Sequence, residues 1–272
     1  MFLIGLVMLP PKKLFGEFMS VPYHLTDKQI SDFKQNGYLI IEKFVEEEIL
    51  QSWRDQLWNH LGSNLEDRQS WPNDYVIEGF SISPPEHTFG RLPQVNAVIE
   101  QLGGGMFTGG GGQILAQWPK QDQEWGMPGS GHIDGYGPNG WSGGFMLGAT
   151  TYLYDVEPRG GAFVYWPKSH FSTHEYFREY PEQIDGSFNQ IEDWGWHLFS
   201  DRSPEGPKQY IAKAGSVVFW HCFLCHTGSG NVRSIPRFGL FARWSYKDKE
   251  KMRYEIPEDL WKYWTIWKRK DK

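Results

Sequence analysis

Cysteine is scarce in this sequence. Only two of the 272 residues are cysteines, Cys222 and Cys225, which is too few for a disulfide framework. Their C-x-x-C spacing also occurs in redox and zinc sites. Residues three apart on a strand face opposite sides, however, so we interpret both cysteines as small buried hydrophobic residues without a chemical role.

A surplus of positive charge is missing as well. Asp and Glu number 33 against 27 Lys and Arg, which gives a formal net charge of −6. Proteins that bind nucleic acid carry basic patches or stripes, and the basic run at 268–270 is too short to act as one. The sequence therefore predicts no nucleic-acid partner.

The sequence has no apolar run long enough to cross a membrane. The apolar stretch at 1–9 is far shorter than the ~20 residues of a membrane-spanning helix. Lys12 and Lys13 follow this stretch, whereas the basic residues of a secretory signal come first. We expect a cytoplasmic protein with no membrane span. Residues 1–18 are predicted to form a peripheral N-terminal extension, and residues 19–272 one domain.

Aromatic residues are plentiful, at 17% of the chain with 14 tryptophans, which is ample for a large core. Helix signals come first along the chain. Thr26 and Gln29 form a capping box that opens a short helix, and Gly37 ends this helix. Further helices are predicted from 46 to 61 and from 93 to about 102, with irregular chain at 63–92.

Strands dominate the remainder of the chain. Apolar runs rich in β-branched and aromatic residues, bounded by glycine and proline turns, indicate strands. The glycine-rich stretch 103–112 lacks a Walker pattern and is predicted as a flexible loop, and 171–206 as an insertion of short helices and loops. Helices followed by many short strands indicate an α+β fold with a β-sandwich or barrel core. The predicted strands are 38–41, 113–118, 145–156, 162–166, 209–212, 216–220 and 237–246.

The motif Gly-His-Ile-Asp at 131–134 places an imidazole and a carboxylate two residues apart. On a strand, His132 and Asp134 leave the backbone on the same face, where both could bind one divalent metal. A third ligand must come from elsewhere, and His226 is the candidate. Two histidines and one carboxylate on one face leave metal positions open, as in non-haem ferrous oxygenases. The pattern predicts His132, Asp134 and His226 as catalytic metal ligands.

Five short motifs follow one another along the chain. They are GHID at 131–134, PRGGAF at 158–163, WPKSH at 166–170, AGSVVF at 214–219, and HTGSGN at 226–231 followed by Arg237. In this order they resemble the phytanoyl-CoA dioxygenase family. The resemblance covers residues 26–246 and implies a double-stranded β-helix (jelly-roll) fold. It also implies ferrous iron, 2-oxoglutarate as co-substrate, and dioxygen, with oxidation of a small-molecule substrate and release of succinate and carbon dioxide.

The resemblance carries over to individual residues. His132, Asp134 and His226 stand where the family has its iron ligands. Arg237, eleven residues after His226, stands where the family has the arginine that binds the distal carboxylate of 2-oxoglutarate. A guanidinium is a planar two-pronged donor that suits a carboxylate. Arg233 is an alternative, but its spacing fits less well.

The sequence departs from the family in the co-substrate pocket. A serine that the family often carries two residues after the last histidine is Gly228 here. Thr227 or Ser229 is therefore predicted to supply the hydroxyl, and Gln117 is predicted as a further co-substrate contact. A second departure is Lys168 in a turn where the family has glycine, and we interpret the following Ser169 and His170 as structural.

Two kinds of function remain open. The first is the dioxygenase. Relatives that halogenate have a small residue in place of the carboxylate, so Asp134 favours hydroxylation or another oxidation. The second is a cupin-type jelly roll that uses a metal for isomerisation or hydrolysis, or only binds a ligand. The sequence does not identify the substrate, although Trp118, Trp125, Tyr136 and Trp141 flank the metal motif and are predicted to wall or cover the pocket.

Overall fold

The computed structural model of the chain describes residues 23–134, 136–137, 140–141, 144–190 and 197–265. The predicted extension at 1–18 lies outside this part, and the division into an extension and one domain stays a prediction. The helices are α1 (Asp27–Asn36), α2 (Glu47–Leu61), α3 (Pro93–Gly103), α4 (Ser169–Glu179), α5 (Leu198–Asp201) and α6 (Lys249–Met252). Short 3-10 segments lie at Arg68–Ser70, Pro85–His87, Phe89–Arg91, Pro181–Asp185 and Ser187–Gln190.

The first helix begins and ends as its local sequence predicts. The Thr26 hydroxyl accepts from the Gln29 backbone N–H at 3.2 Å, and the Gln29 side chain accepts from the Thr26 N–H at 2.9 Å. This reciprocal pair satisfies two of the donors that a helix start leaves open. Gly37 ends α1 with φ 81°, a left-handed conformation that glycine adopts without strain.

The strands form two main antiparallel sheets. The strands are β1 (Tyr38–Ile41), β2 (Phe107–Gly111), β3 (Ile114–Gln117), β4 (Tyr136–Gly137), β5 (Gly140–Trp141), β6 (Phe145–Tyr152), β7 (Phe163–Tyr165), β8 (Lys208–Gln209), β9 (Val217–His221), β10 (His226–Gly228) and β11 (Arg237–Tyr246). The larger sheet has the order β1-β9-β6-β11-β2, with β3 also paired to β11, and the smaller has the order β10-β7-β8. A separate pair is formed by β4 and β5.

The larger sheet is covered on both faces. On one face Phe238 packs against Trp58 of α2, with ring centroids 5.3 Å apart. On the other face Phe163 of the smaller sheet lies 5.8 Å from Trp220 and 6.2 Å from Phe241. For the same reason all eight residues of β6 are buried. Buried and exposed residues therefore do not alternate along β6, since alternation marks a sheet with one face in water.

The glycine-rich stretch is the main error of the sequence prediction. Residues 107–111 form β2 rather than a flexible loop, and they pair with residues 243–246 of β11. Glycine is required here because other backbone lies so close. A Cβ on Gly109 would lie 2.4 Å from the Arg243 carbonyl oxygen, and one on Gly112 would lie 1.3 Å from that of Phe241. The helical segment after β7 also begins earlier than predicted, at Ser169.

None of the helices in the described ranges combines the length and apolarity that crossing a membrane requires. The thiols of Cys222 and Cys225 are both free and buried. Burial raises the pKa of both thiols, which keeps them in the unreactive neutral form. The interpretation of the two cysteines as buried hydrophobic residues is confirmed.

Candidate metal centre and co-substrate pocket

The metal motif and the last histidine meet through their backbones. His132 donates its N–H to the His226 carbonyl at 2.9 Å, and His226 donates to the His132 carbonyl at 2.8 Å. This isolated antiparallel bridge places the two imidazole rings 4.7 Å apart. The motif does not form a regular strand, because Asp134 already lies in a bend. The two motif side chains nevertheless lie side by side, as predicted.

The three predicted ligands converge on one point. Asp134 Oδ1 lies 3.2 Å from His132 Nε2 and 3.6 Å from His226 Nε2. One ligand atom from each of the three residues lies within 4.8 Å of the other two. Two imidazole nitrogens and one carboxylate oxygen are ligands that suit ferrous iron, and their convergence leaves the remaining metal positions to other ligands.

His226 is oriented by its surroundings. Its Nδ1 lies 2.9 Å from the Leu224 carbonyl oxygen, which can only accept, so Nδ1 carries the proton and Nε2 presents a lone pair. The ring packs against Trp220 and Phe163, with centroids at 4.4 and 5.2 Å. Burial lowers the pKa of His226, although Asp134 acts in the opposite direction. The ring is thus held neutral, the form that binds a metal.

The carboxylate of Asp134 has a further partner that the sequence analysis missed. Arg243 donates to Asp134 Oδ2 from Nε at 2.8 Å and from Nη2 at 2.5 Å. Burial alone would raise the pKa of Asp134, but the nearby imidazoles of His226 and His132 and the positive charge of Arg243 hold that pKa well below its usual range. The site therefore presents a carboxylate rather than a carboxylic acid.

Arg237 is buried on β11, opposite Gln117 of β3. Its Nε donates to the Gly161 carbonyl at 2.6 Å and its Nη1 to the Leu115 carbonyl at 2.9 Å. Burial lowers the pKa of Arg237, and the tyrosines Tyr152 and Tyr75 oppose this. Within the described ranges, no acidic side chain forms a salt bridge with this guanidinium. A buried arginine with polar neighbours but no carboxylate is matched to an anionic ligand.

Gly228 marks the space beside this arginine. A methyl group on Gly228 would lie 3.5 Å from Gln117 Nε2, 3.7 Å from Arg237 Nη2 and 3.9 Å from the Tyr75 hydroxyl. Gln117 and Arg237 are thus brought together as predicted. The convergence of Tyr75 was not predicted, because nothing in its local sequence distinguishes it.

Thr227 and Ser229, the predicted sources of a hydroxyl, lie on the other face of the strand end. Successive residues of a strand face opposite sides, so Gly228 shares the face of His226 and its two neighbours do not. The Ser229 hydroxyl donates to the Ala162 carbonyl at 3.1 Å. The structure thus places a glycine, rather than either hydroxyl, beside Arg237.

Other residues singled out in the sequence lie elsewhere. Arg233 donates to the Pro158 carbonyl at 2.8 Å and lies 3.8 Å from Glu157, which favours Arg237 as the anchor. Trp118 is buried against Trp71 and Phe238, so it belongs to the core rather than to the pocket wall. Trp125 is half-buried and bonds the Gly230 carbonyl. The side chains of Tyr136 and Trp141 lie outside the described part of the structure.

Ser169 and His170 have the structural roles that were predicted. Ser169 Oγ donates to the Trp166 carbonyl and accepts from the Cys225 N–H at 2.8 Å, so it ties α4 to the chain just before His226. His170 Nε2 bonds the Lys34 carbonyl at 3.0 Å and links α4 to α1.

The family model of phytanoyl-CoA dioxygenase (PhyH) matches residues 113–239. This range contains the three candidate metal ligands and Arg237. The predicted resemblance is confirmed, and the family and the His-Asp-His cluster together support an iron(II)- and 2-oxoglutarate-dependent enzyme of the oxygenase type. None of the curated protein sequences matches the chain.

Several solved structures share the fold at low sequence identity. SnoN, an epimerase solved with Fe3+, alpha ketoglutarate and nogalamycin RO, is 16% identical with TM-score 0.57, covering 80% of this chain and 82% of its own. EctD from S. alaskensis, solved with 2-oxoglutarate and 5-hydroxyectoine, is 14% identical with TM-score 0.54, covering 82% and 76%. HygX from Streptomyces hygroscopicus, with nickel and 2-oxoglutarate bound, is 15% identical with TM-score 0.54, covering 83% and 88%. The predicted jelly-roll fold is confirmed.

Proposed function

From the family match, we propose that the chain is an iron(II)- and 2-oxoglutarate-dependent dioxygenase that oxidises a C–H bond of a small molecule. The observation that carries this proposal is the convergence of ligand atoms from His132, Asp134 and His226 within 4.8 Å of one another. The convergence joins two stretches of chain that lie far apart in sequence, and it lies beside a buried arginine suited to the co-substrate.

The residues present fit a metal ion. The Nε2 lone pair of His226 and the Oδ1 lone pairs of Asp134 face each other across 3.6 Å. Two acceptors in this arrangement repel each other unless a cation lies between them. His132, Asp134 and His226 would hold the metal, and the hydrogen bond from His226 Nδ1 to the Leu224 carbonyl keeps the third ligand in its binding tautomer.

The residues present also fit 2-oxoglutarate. Arg237 would bind its distal carboxylate, because the guanidinium is buried, faces the gap at Gly228, and has no acidic partner in the described ranges. The amide of Gln117 lies at the same gap and can donate a further hydrogen bond. When bound, iron and 2-oxoglutarate supply the activation of dioxygen that oxidises the substrate, with release of succinate and carbon dioxide.

The chain's own residues orient the site and limit access of water. The aromatic rings of Trp220 and Phe163 bury one side of His226. This packing keeps water away from the imidazole that would bind the metal. Arg243 holds Asp134 Oδ2, so Oδ1 is turned toward both histidines. His132 is the more exposed of the two histidines, with 37% of its side chain accessible against 6% for His226. We infer that substrate approaches from the His132 side.

The first test is conversion of 2-oxoglutarate to succinate in air with ferrous iron and no added substrate. We expect slow turnover by the wild-type protein, since members of this class oxidise the co-substrate without a primary substrate. His132→Ala and Asp134→Ala should lose binding of Mn2+, used as a stable substitute for ferrous iron. His60→Ala, which changes an exposed histidine bonded to the Glu78 carbonyl, is the control. Unchanged metal binding in both site variants would contradict the proposal.

The second test concerns Arg237 as the residue that binds the distal carboxylate of 2-oxoglutarate. Arg237→Gln should raise the KM for 2-oxoglutarate while Mn2+ binding persists, because a lost buried charge pair costs about 2–5 kcal/mol. Arg233→Gln should behave like the wild type. If metal binds but 2-oxoglutarate is neither bound nor consumed, the cupin-type alternative is the better description.

Location and partners complete the proposal. We propose that the protein acts in the cytoplasm, which the two free thiols support, because reducing compartments keep thiols unpaired. Its expected partners are 2-oxoglutarate, dioxygen and a small-molecule substrate. A fractionation experiment with an antibody to the chain would test the location.

A further inference from the structure

We propose that Tyr75 supplies the hydroxyl that binds the distal carboxylate of 2-oxoglutarate together with Arg237. In this role it replaces the side chain that is missing at Gly228. The inference rests on the proposed function and extends it to a residue outside all of the sequence motifs.

Three polar groups surround the space that a side chain at residue 228 would fill. Its Cβ would lie 3.5 Å from the Gln117 amide nitrogen, 3.7 Å from Arg237 Nη2 and 3.9 Å from the Tyr75 hydroxyl. An amide NH2, a guanidinium and a phenol can all donate hydrogen bonds, whereas an ionised carboxylate only accepts them. The space is thus surrounded by the groups that a carboxylate needs.

Arg237 itself is oriented toward Tyr75. Its Nε and Nη1 are bonded to the Gly161 and Leu115 carbonyls, which fixes the guanidinium plane and leaves Nη2 nearest to Gly228. The Tyr75 hydroxyl is near enough to this guanidinium to oppose the lowering of the Arg237 pKa by burial. A carboxylate entering the gap would therefore meet Nη2 and the phenol together, which is a two-point contact.

The backbone holds Tyr75 at this place. The Tyr75 carbonyl accepts from the Ala116 N–H at 2.7 Å, and the Ile77 N–H donates to the Ile114 carbonyl at 3.1 Å. These bonds add residues 75–77 to the edge of the larger sheet, beside β3, which carries Gln117. Tyr75 is 48% exposed, so its ring lies at the solvent side of the pocket and can cover a bound co-substrate.

Tyr75 can supply the hydroxyl that the chain lacks at Gly228. At Gly228 the three nearest atoms lie at ordinary contact distances, so the backbone does not require glycine there. A serine at 228 would place its own hydroxyl among the same three groups. The chain thus has room for a hydroxyl from either position, and the tyrosine fills this role from a different element.

The experiment measures binding of 2-oxoglutarate to the Mn2+-loaded protein by calorimetry, without oxygen. Tyr75→Phe should weaken 2-oxoglutarate binding about tenfold, as expected for a lost hydrogen bond to a charged group, and leave Mn2+ affinity unchanged. Tyr254→Phe is the matched control, because it removes a phenol that likewise bonds an arginine, Arg253, at 2.7 Å, at an exposed site. It should bind 2-oxoglutarate like the wild type.

A second substitution tests the exchange of roles. Tyr75→Phe combined with Gly228→Ser should recover most of the lost affinity, whereas Tyr75→Phe combined with Gly228→Ala should not.

Hydrogen exchange adds a readout that is independent of affinity. 2-Oxoglutarate should slow exchange of the Ala116 and Ile77 amides in the wild type, and less so in Tyr75→Phe. The reason is that the bound ligand stabilises the pairing of residues 75–77 with β3 at the edge of the larger sheet.

The outcomes distinguish a failure of this inference from a failure of the proposed function. Wild-type affinity in Tyr75→Phe, or no recovery with serine at 228, overturns the role of Tyr75. Equal loss of Mn2+ and 2-oxoglutarate binding in Tyr75→Phe makes the residue structural and overturns it too. If the wild-type protein with Mn2+ fails to bind 2-oxoglutarate, the proposed function itself is wrong.

Discussion

Asp134 divides its two carboxylate oxygens between different partners. Oδ1 faces His132 and His226, while Oδ2 accepts two hydrogen bonds from Arg243. A carboxylate held in this way can offer only one oxygen to a metal, with its direction fixed. Arg243 is thus a positioning residue that acts through Asp134, and its 37% exposed side chain borders the open side of the site.

Arg243→Met should weaken Mn2+ binding by about 10–100-fold, the usual effect of removing a group that orients a metal ligand. The carboxylate would then rotate freely and lose the order that the two N–H donors impose. Arg243→Lys keeps the charge but not the two-pronged geometry, and we expect it to restore only part of the affinity. Calorimetry with Mn2+ measures all three proteins. Equal affinity in the wild type and Arg243→Met would contradict the positioning role.

The site residues differ in how far the sequence reveals them. His132, Asp134 and His226 could be predicted because few side chains bind iron, and Arg237 because its spacing from His226 matches that of the arginine in the family that the sequence resembles. Arg243 and Tyr75 could not. An arginine in a strand ordinarily faces solvent or an acid nearby, and Arg243 gains its role from a carboxylate 109 positions away in the sequence. The pairing depends on strand register, which one sequence does not specify.

At the scale of elements, the glycine-rich strand β2 and the turn after it depend on backbone contacts. The carbonyls of Gly90 and Gly110 approach each other's α-carbons so closely that a Cβ on Gly90 would lie 2.0 Å from the Gly110 oxygen. Glycine favours loops when only local preferences act. Here the pairing of Gly109 and Gly111 with β11 outweighs this preference. By contrast, the capping box of α1 was predictable because Thr26 and Gln29 act on each other directly.

Gly112→Ala should lower the free energy of unfolding by about 1–3 kcal/mol or more, the typical cost of overpacking. Its new Cβ would overlap the Phe241 carbonyl oxygen, which belongs to paired backbone and cannot move aside. Gly111→Ala is the matched control one residue away, because a Cβ there meets nothing within 4 Å. Urea unfolding of both variants at neutral pH measures the difference. Similar stabilities would show that the β2–β3 turn can rearrange at little cost.

At the scale of the whole molecule, buried histidines join the N-terminal helix to the sheets and to the C-terminal segment. His170 bonds the Lys34 carbonyl of α1, and its ring lies 5.5 Å from His221 and 5.9 Å from Trp261. Burial lowers the pKa of His170 to about 4, with the Lys34 carbonyl opposing and His174 adding to the shift. Burial also holds the pKa of His221 well below its usual range. The packing of these elements therefore requires neutral imidazoles.

This requirement predicts how stability depends on pH. The folded pKa of His170 lies below that of an unfolded histidine, so the unfolded chain binds the proton first and stability falls as pH drops from about 6.5 to about 4. At about 1.4 kcal/mol per pKa unit, the loss from His170 alone approaches about 3 kcal/mol. His170→Gln keeps a donor near the Lys34 carbonyl and does not titrate, so its free energy of unfolding should fall less steeply over this range. His60→Gln, which changes an exposed ring that also bonds a backbone carbonyl, is the control and should keep the wild-type slope. Urea unfolding of metal-free protein between pH 7 and pH 4.5 measures the slopes, and equal slopes for wild type and His170→Gln would show that His170 is not protonated on unfolding.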